Sequence, residues 1–256
     1  MSERKPKQQK LWIYGIVPAG AELDELASRE GLPEVWLIEL GDIAALVGEF
    51  SNQKDEQVAQ QALWHAQVLE AAVHDAPVVP VAAGTVVDGG DDAVADELLE
   101  QHRDQFARYL QAVEPYVQMT LKVTYERDAV LREIIDSDQE IARLRASTHD
   151  RDEVESREGR VRLGELISAA VERLRERDAD PILSLLNEIA SRVAKDELEE
   201  DFMVLNASFL VARERLDEFN AGVEEIAEEG LGRTHFVLLG PMPAYSFLDT
   251  PEPSWA

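Results

Sequence analysis

Two apolar runs, Val35 to Leu40 and Ile43 to Phe50, are separated only by Gly41-Asp42. A two-residue link of this kind is a β-hairpin signal, because the turn needs a residue that accepts positive φ. What flanks the hairpin then fixes the options. Upstream, Leu11 to Val17 is strand-like and closes at Pro18, and Glu22 to Glu30 puts Leu23, Leu26 and Ala27 on one helical face, with Gly31 and Pro33 as stop signals. Downstream, Asp55 to His74 carries Val58, Ala62, Ala66, Leu69 and Val73 at helical spacing, and Val78 to Val87 returns as a strand interrupted by Pro80 and Gly84. The order is β-α-β-β-α-β, so the spacing predicts an α+β chain opening with an N-terminal ferredoxin-like domain over residues 9–88.

Asp88-Gly89-Gly90-Asp91-Asp92 marks the internal boundary, since paired glycines among aspartates favour a turn and offer a helix cap. A helix is expected from Ala93 to Glu114, ended by Pro115, then a half-buried strand from Gln118 to Tyr125 with Met119, Leu121, Val123 and Tyr125 on one face. From Asp128 to Asp201 the apolar positions keep helical spacing. Leu131, Ile134, Ile135, Ile141 and Leu144 form one arm and Leu163, Leu166, Ile167, Val171 and Leu174 the other, about a polar tip from Ser147 to Arg162. Asp180-Pro181 reads as N-cap and first residue of a further helix. A strand from Phe202 to Ala212, a helix through Leu216, Phe219, Val223 and Ile226 ending at Gly230, and a strand from His235 to Leu239 complete a second domain over residues 91–250. It reads as a modified ferredoxin-like domain carrying a long α-helical hairpin at about 127–200.

Charge and composition exclude several classes. The chain has 256 residues, 52 acids against 25 lysines and arginines, a formal charge of −27 and no cysteine. Such a field opposes binding to a phosphate backbone, so no nucleic acid partner is expected. The basic residues Arg4, Lys5, Lys7 and Lys10 read as a solvated terminus. Disulfides and thiolate chemistry are excluded. No run reaches the roughly 20 apolar residues of a membrane span and Met1 to Lys10 lacks a signal-peptide core, so no membrane partner and a cytoplasmic location are expected. The acidic clusters Asp196 to Asp201 and Glu224 to Glu229 read as solvated helix faces.

The residues offer little to catalysis. His65 and His74 are nine apart on one helix, too far for a metal pair, while His102 falls on an apolar face and His149 and His235 have no visible companion. Neither a phosphate loop nor an EF-hand spacing occurs, and Asn206-Ala207-Ser208, a formal glycosylation sequon, falls inside an expected buried strand. No catalytic residue, metal or cofactor is therefore expected. The one candidate contact segment is the tail after the last strand. There Pro241 and Pro243 are expected to stop the strand and send the chain off as a stiff extension with Tyr245 and Phe247 as anchors. Gly240, Pro241, Pro243, Tyr245 and Phe247 are accordingly the candidate structural or partner-contact residues. Folding back over an exposed edge or the seam between domains is favoured over direct partner contact.

Three segments together resemble the gas vesicle protein F/L family. They are Leu11-Trp12-Ile13-Tyr14-Gly15-Ile16-Val17, then Ala62-Leu63-Trp64-His65 leading into Val78 to Val86, and finally Gly240 to Phe247. Ala82 and Ala83 stand where arginine and phenylalanine are common in that family, Met242 where tryptophan is, and Ala244 where proline is. The resemblance implies a gas-vesicle-associated accessory protein of assembly. Its implied partners are the hydrophobic major shell protein and other gas vesicle accessory proteins, with no covalent reaction. It also implies the two ferredoxin-like domains already read from the element order. Collective acidity is expected to keep such a protein soluble beside an apolar client. The alternative reading is a cytoplasmic small-molecule-binding regulatory protein built on ferredoxin-like domains.

Overall fold

The computed structural model describes residues 9–50, 56–149 and 157–248, with the side chains of 56–58 and 149 left undescribed. Arg4, Lys5, Lys7, Asp55, the packing of Val58, the ring of His149 and the middle of the expected polar tip therefore lie outside the described residues. The chain forms two compact units, residues 9–119 with 240–248, and residues 120–239. It is a mixed helix and antiparallel-sheet protein with two sheets.

In the first unit β1 (Lys10–Pro18) is the central strand and is buried along almost its whole length. Helix α1 (Asp24–Ser28) is short, and β2 (Val35–Leu40) and β3 (Ile43–Glu49) form the antiparallel hairpin about Gly41, at φ +65°. After α2 (Glu56–Asp75) the expected strand is split into β4 (Val79–Pro80) and β5 (Val86–Asp88) by a turn in which the Thr85 amide donates to the Ala82 carbonyl. Both pieces pair with β1, giving the order β2-β3-β1-β4. The register of β1 on β3 skips Tyr14, a β-bulge that turns its ring inward. A Cβ on Gly15 would lie 3.0 Å from both Leu69 Cδ2 and the Val79 carbonyl oxygen, so glycine there lets α2 pack closely on β1. The segment after the boundary begins as α3 (Gly90–Ala93), widens into a π-turn over Val94–Leu99 and continues as α4 (Glu100–Val113), which packs on β1, β3 and β4. Arg103 on α4 closes the hairpin turn by donating two hydrogen bonds to Asp42 Oδ1, at 3.0 and 2.9 Å.

The second sheet has the order β7-β8-β6-β9. β6 (Tyr116–Tyr125) and β8 (Met203–Ala212) are its buried central strands, and α8 (Leu216–Glu229) follows β8 through a 3₁₀ turn at Arg213–Arg215. Three expectations are corrected here. The first helical arm is broken into α5 (Arg127–Ser137) and α6 (Gln139–His149) at Asp138, which is extended and whose Oδ1 accepts the Glu140 and Ile141 amides. This is an N-cap, and it ends one helix by starting another. Asp180-Pro181 starts nothing: α7 (Arg157–Ile189) runs 33 residues straight through it. Pro181 is exposed, so its ring lies on the solvent side of the helix, while Val171, Ile182, Leu186 and Ile189 stay buried. Finally, the helical reading to Asp201 fails beyond Ile189. Arg192–Lys195 is a strand, β7, paired with β8, and Asp196 to Asp201 is a connecting loop rather than a helix face.

Candidate partner-contact surfaces

The tail departs from expectation in two respects. β9 (Thr234–Met242) does not stop at Leu239 but continues through Gly240-Pro241, a cis peptide. Proline is compatible with this because β9 is the terminal strand of its sheet and one edge needs no donor. Gly240 has φ +125°, and a Cβ there would meet the Gln118 carbonyl oxygen at 2.7 Å, so no other residue fits. The chain then turns tightly instead of leaving as a stiff extension. The Tyr245 amide donates to the Pro243 carbonyl, and the Phe247 and Leu248 amides donate to that of Ala244. The turn is held by buried Gln118, whose Oε1 accepts the Ser246 amide at 2.9 Å and whose amide group points at Met242 Sδ at 3.8 Å. Pro243 and Ala244 are buried, Phe247 is half-buried and Tyr245 is 44% exposed. Of the two rings, that of Tyr245 is the more exposed, although burial still pushes its phenol up to about 12. Leu231, at 79% exposure, with Val237 and Leu239, adds further exposed apolar side chains on and before β9.

Residues of the other two resembling segments meet in the core of the first unit. Trp12 Nε1 donates to His65 Nδ1 at 3.0 Å, which leaves the proton on Nε2, 3.0 Å from the Val81 carbonyl oxygen that accepts it. The neutral ring also stacks on Tyr14 with centroids 5.4 Å apart, and Phe50 stacks on Trp12 at 6.2 Å. Burial holds the His65 imidazolium pKa below its ordinary value, against the opposing effect of the Val81 bond, and pushes the Tyr14 phenol up to about 12. His65 is thus a structural pin between strand, helix and the β4–β5 segment. Nothing in the sequence announces this pairing, since Trp12 and His65 are 53 residues apart.

A charged cluster in the second unit was also invisible in sequence. Asp178 on α7 accepts from Tyr125 Oη at 2.7 Å, Arg233 Nη2 at 2.6 Å and Arg177 Nε at 2.8 Å, and Arg233 Nε donates to Glu133 on α5 at 2.8 Å. Burial alone would raise the Asp178 carboxyl, but the donors from Arg177, Tyr125 and Arg233 hold it below the usual range. The Arg233 bond likewise lowers Glu133. These bonds tie α5 and α7 to β6. Among the described residues no group of three or more His, Asp or Glu could hold a metal ion, and no helix is long and apolar enough to cross a membrane. Asn206 and Ser208 of the sequon are buried in β8.

A depression in the first unit lies between α1 and β2. It is an open groove of about 540 Å³ floored by Leu23, Leu26, Leu32, Val35, Trp36 and Leu37. A second hollow of about 350 Å³ adjoins it, sharing Arg29 and Leu32 and extending to Leu63 and Trp64.

Comparison with known proteins places this architecture. The chain is 27% identical over 243 residues to gas vesicle protein F of Streptomyces sp. (strain CB03234), covering 93% of this chain and 99% of that one. It is 24% identical over 223 residues to gas vesicle protein F of Dolichospermum flosaquae, covering 86% and 89% of the two chains. Its fold is similar to the crystal structures of the gas vesicle protein GvpF from Anabaena sp. PCC7120, with TM-score 0.73 at 23% identity, and from Microcystis aeruginosa, with TM-score 0.69 at 19% identity. Each likeness covers 93% of this chain and 98% of the solved one. The family model described as gas vesicle synthesis protein GvpL/GvpF matches residues 10–249, and the chain belongs to that family.

Proposed function

We propose that this chain is a non-enzymatic accessory protein of gas vesicle assembly, binding the hydrophobic major shell protein and other accessory proteins during nucleation or growth of the shell. The observation that carries the reading is family membership over residues 10–249, nearly the whole chain. Physical features support it. Both sheets share the strand order second-third-first-fourth within their unit, which supports reading each unit as ferredoxin-like, and both expose terminal strands. The broken arm α5–α6 packs along α7, a helix about 50 Å long, and supports reading this segment as a hairpin-like docking arm. The side chains described above are engaged with one another rather than arranged as nucleophile and base, which favours binding over covalent catalysis.

Acidity serves the same role by keeping complexes with an apolar client soluble. The test is co-expression with the shell protein of the same cell, followed by affinity purification and by imaging of vesicles in a deletion strain. Co-purification with loss or malformation of vesicles is the expected result. No association together with normal vesicles would refute the reading.

A further inference from the structure

The groove between α1 and β2 is not filled by this chain's described residues, and its surroundings select what can fill it. Its floor is apolar, and β2 is the terminal strand of its sheet, so the outer edge of β2 has no strand neighbour among the described residues. The acids at its margin are exposed: Glu34 lines the groove and Glu30 the adjoining hollow, while the one cation in either lining, Arg29, is occupied by Glu25 at 3.1 Å and Glu70 at 3.5 Å. The adjoining hollow is more polar, with Glu30, Gln60 and Gln67 beside Leu63, itself 51% exposed, and Trp64.

We infer that this trough is a docking site for a short apolar segment of a partner protein that carries lysine or arginine at its flanks and adds to β2 as a further antiparallel strand. Main-chain bonds to β2 supply affinity, alternate side chains enter the floor at Leu26, Leu32 and Leu37, and the flanking cations meet Glu30 and Glu34. An uncharged or acid-flanked apolar segment lacks that last contribution and is rejected by the rim. A small enclosed metabolite fits less well, because the trough is open along its length. The inference deepens the assembly reading by assigning a surface and a segment chemistry to one of its partners.

Its test does not need the natural partner. A synthetic peptide of alternating valine and threonine bracketed by paired lysines is titrated into the full chain, beside a copy with glutamates in place of the lysines. Peptide binding is followed by fluorescence anisotropy and the site by amide hydrogen exchange. The lysine peptide is expected to bind saturably and to slow exchange in Val35–Leu40, with the glutamate peptide at least about tenfold weaker. Glu30→Lys with Glu34→Lys, both at exposed positions, should weaken the lysine peptide by about tenfold without lowering the melting temperature. Equal binding of the two peptides, protection elsewhere than β2, or indifference to the double substitution would each overturn the site. Continued co-purification with the shell protein in that event would leave the assembly role standing and remove only this surface from it.

Discussion

His65 is the residue on which the first unit's acid sensitivity should turn. Its folded pKa lies below the unfolded value of about 6.5, so the unfolded chain binds the extra proton first. The stabilisation from neutral His65 is therefore complete above about pH 6.5 and lost as pH falls through the window down to the folded pKa. Thermal melts stepped downward from neutral pH should show the melting temperature falling before the carboxylates titrate, and His65→Gln should flatten that limb. A wild-type melting temperature constant from pH 7 to 5 would contradict the assignment. Gly240→Ala is the steric counterpart. With φ at +125° and a backbone oxygen 2.7 Å from the new Cβ, it should cost about 2–4 kcal/mol in denaturant unfolding. At this scale the sequence was legible only where chemistry is local. Gly41 was readable as a turn because its neighbours define the turn, whereas Trp12 and His65 find each other through the fold.

Among elements, α7 gives the plainest expectation. Pro181 sits exposed in its interior with the helix continuing on both sides, so Pro181→Ala restores a backbone bond without disturbing packing. Chemical denaturation should show a gain of about 1 kcal/mol or more, within the roughly 3 kcal/mol by which alanine exceeds proline in a helix interior. The cluster that anchors this helix predicts the opposite sign. Arg233→Met removes donors from Asp178 and Glu133, which are only partly exposed, and should destabilise by about 1–3 kcal/mol. Because both carboxyls lie below their ordinary range when folded, that loss should be present near neutrality and shrink as pH falls through the carboxylate region. Helices were legible by periodicity but their ends were not. Asp138 breaks an apparently continuous arm by capping, and Pro181 fails to break one because burial of Ile182, Leu186 and Ile189 outweighs the lost backbone bond. β7 escaped notice because four residues, Arg192 to Lys195, are too few for alternation to stand out from helical spacing.

The whole molecule carries −27 formal charges, and self-repulsion at that density opposes the compact state. Added salt should raise the melting temperature by a few degrees as the screening length falls below about 10 Å. A flat salt response would mean that repulsion among the excess acids contributes little to the stability of the compact state. Removing everything after Leu239 deletes the donor to Gln118 and the buried Pro243 and Ala244, and should lower stability by about 1–3 kcal/mol even though no helix is lost. The alternation of strands and helices was legible at this scale from the order of apolar runs. That residues 240–248 belong to the first unit was not, since no pattern in Gly240 to Phe247 says which part of the chain it rejoins. That return has a consequence for biosynthesis. A ribosome delivers residues 120–239 before the segment that completes the first unit, so the second unit has time to fold while the first still waits for Ser246 to reach Gln118. A stretch translated after the second unit is then the clasp that finishes the unit translated first, and a nascent chain stalled short of Gly240 remains open where the finished fold is closed.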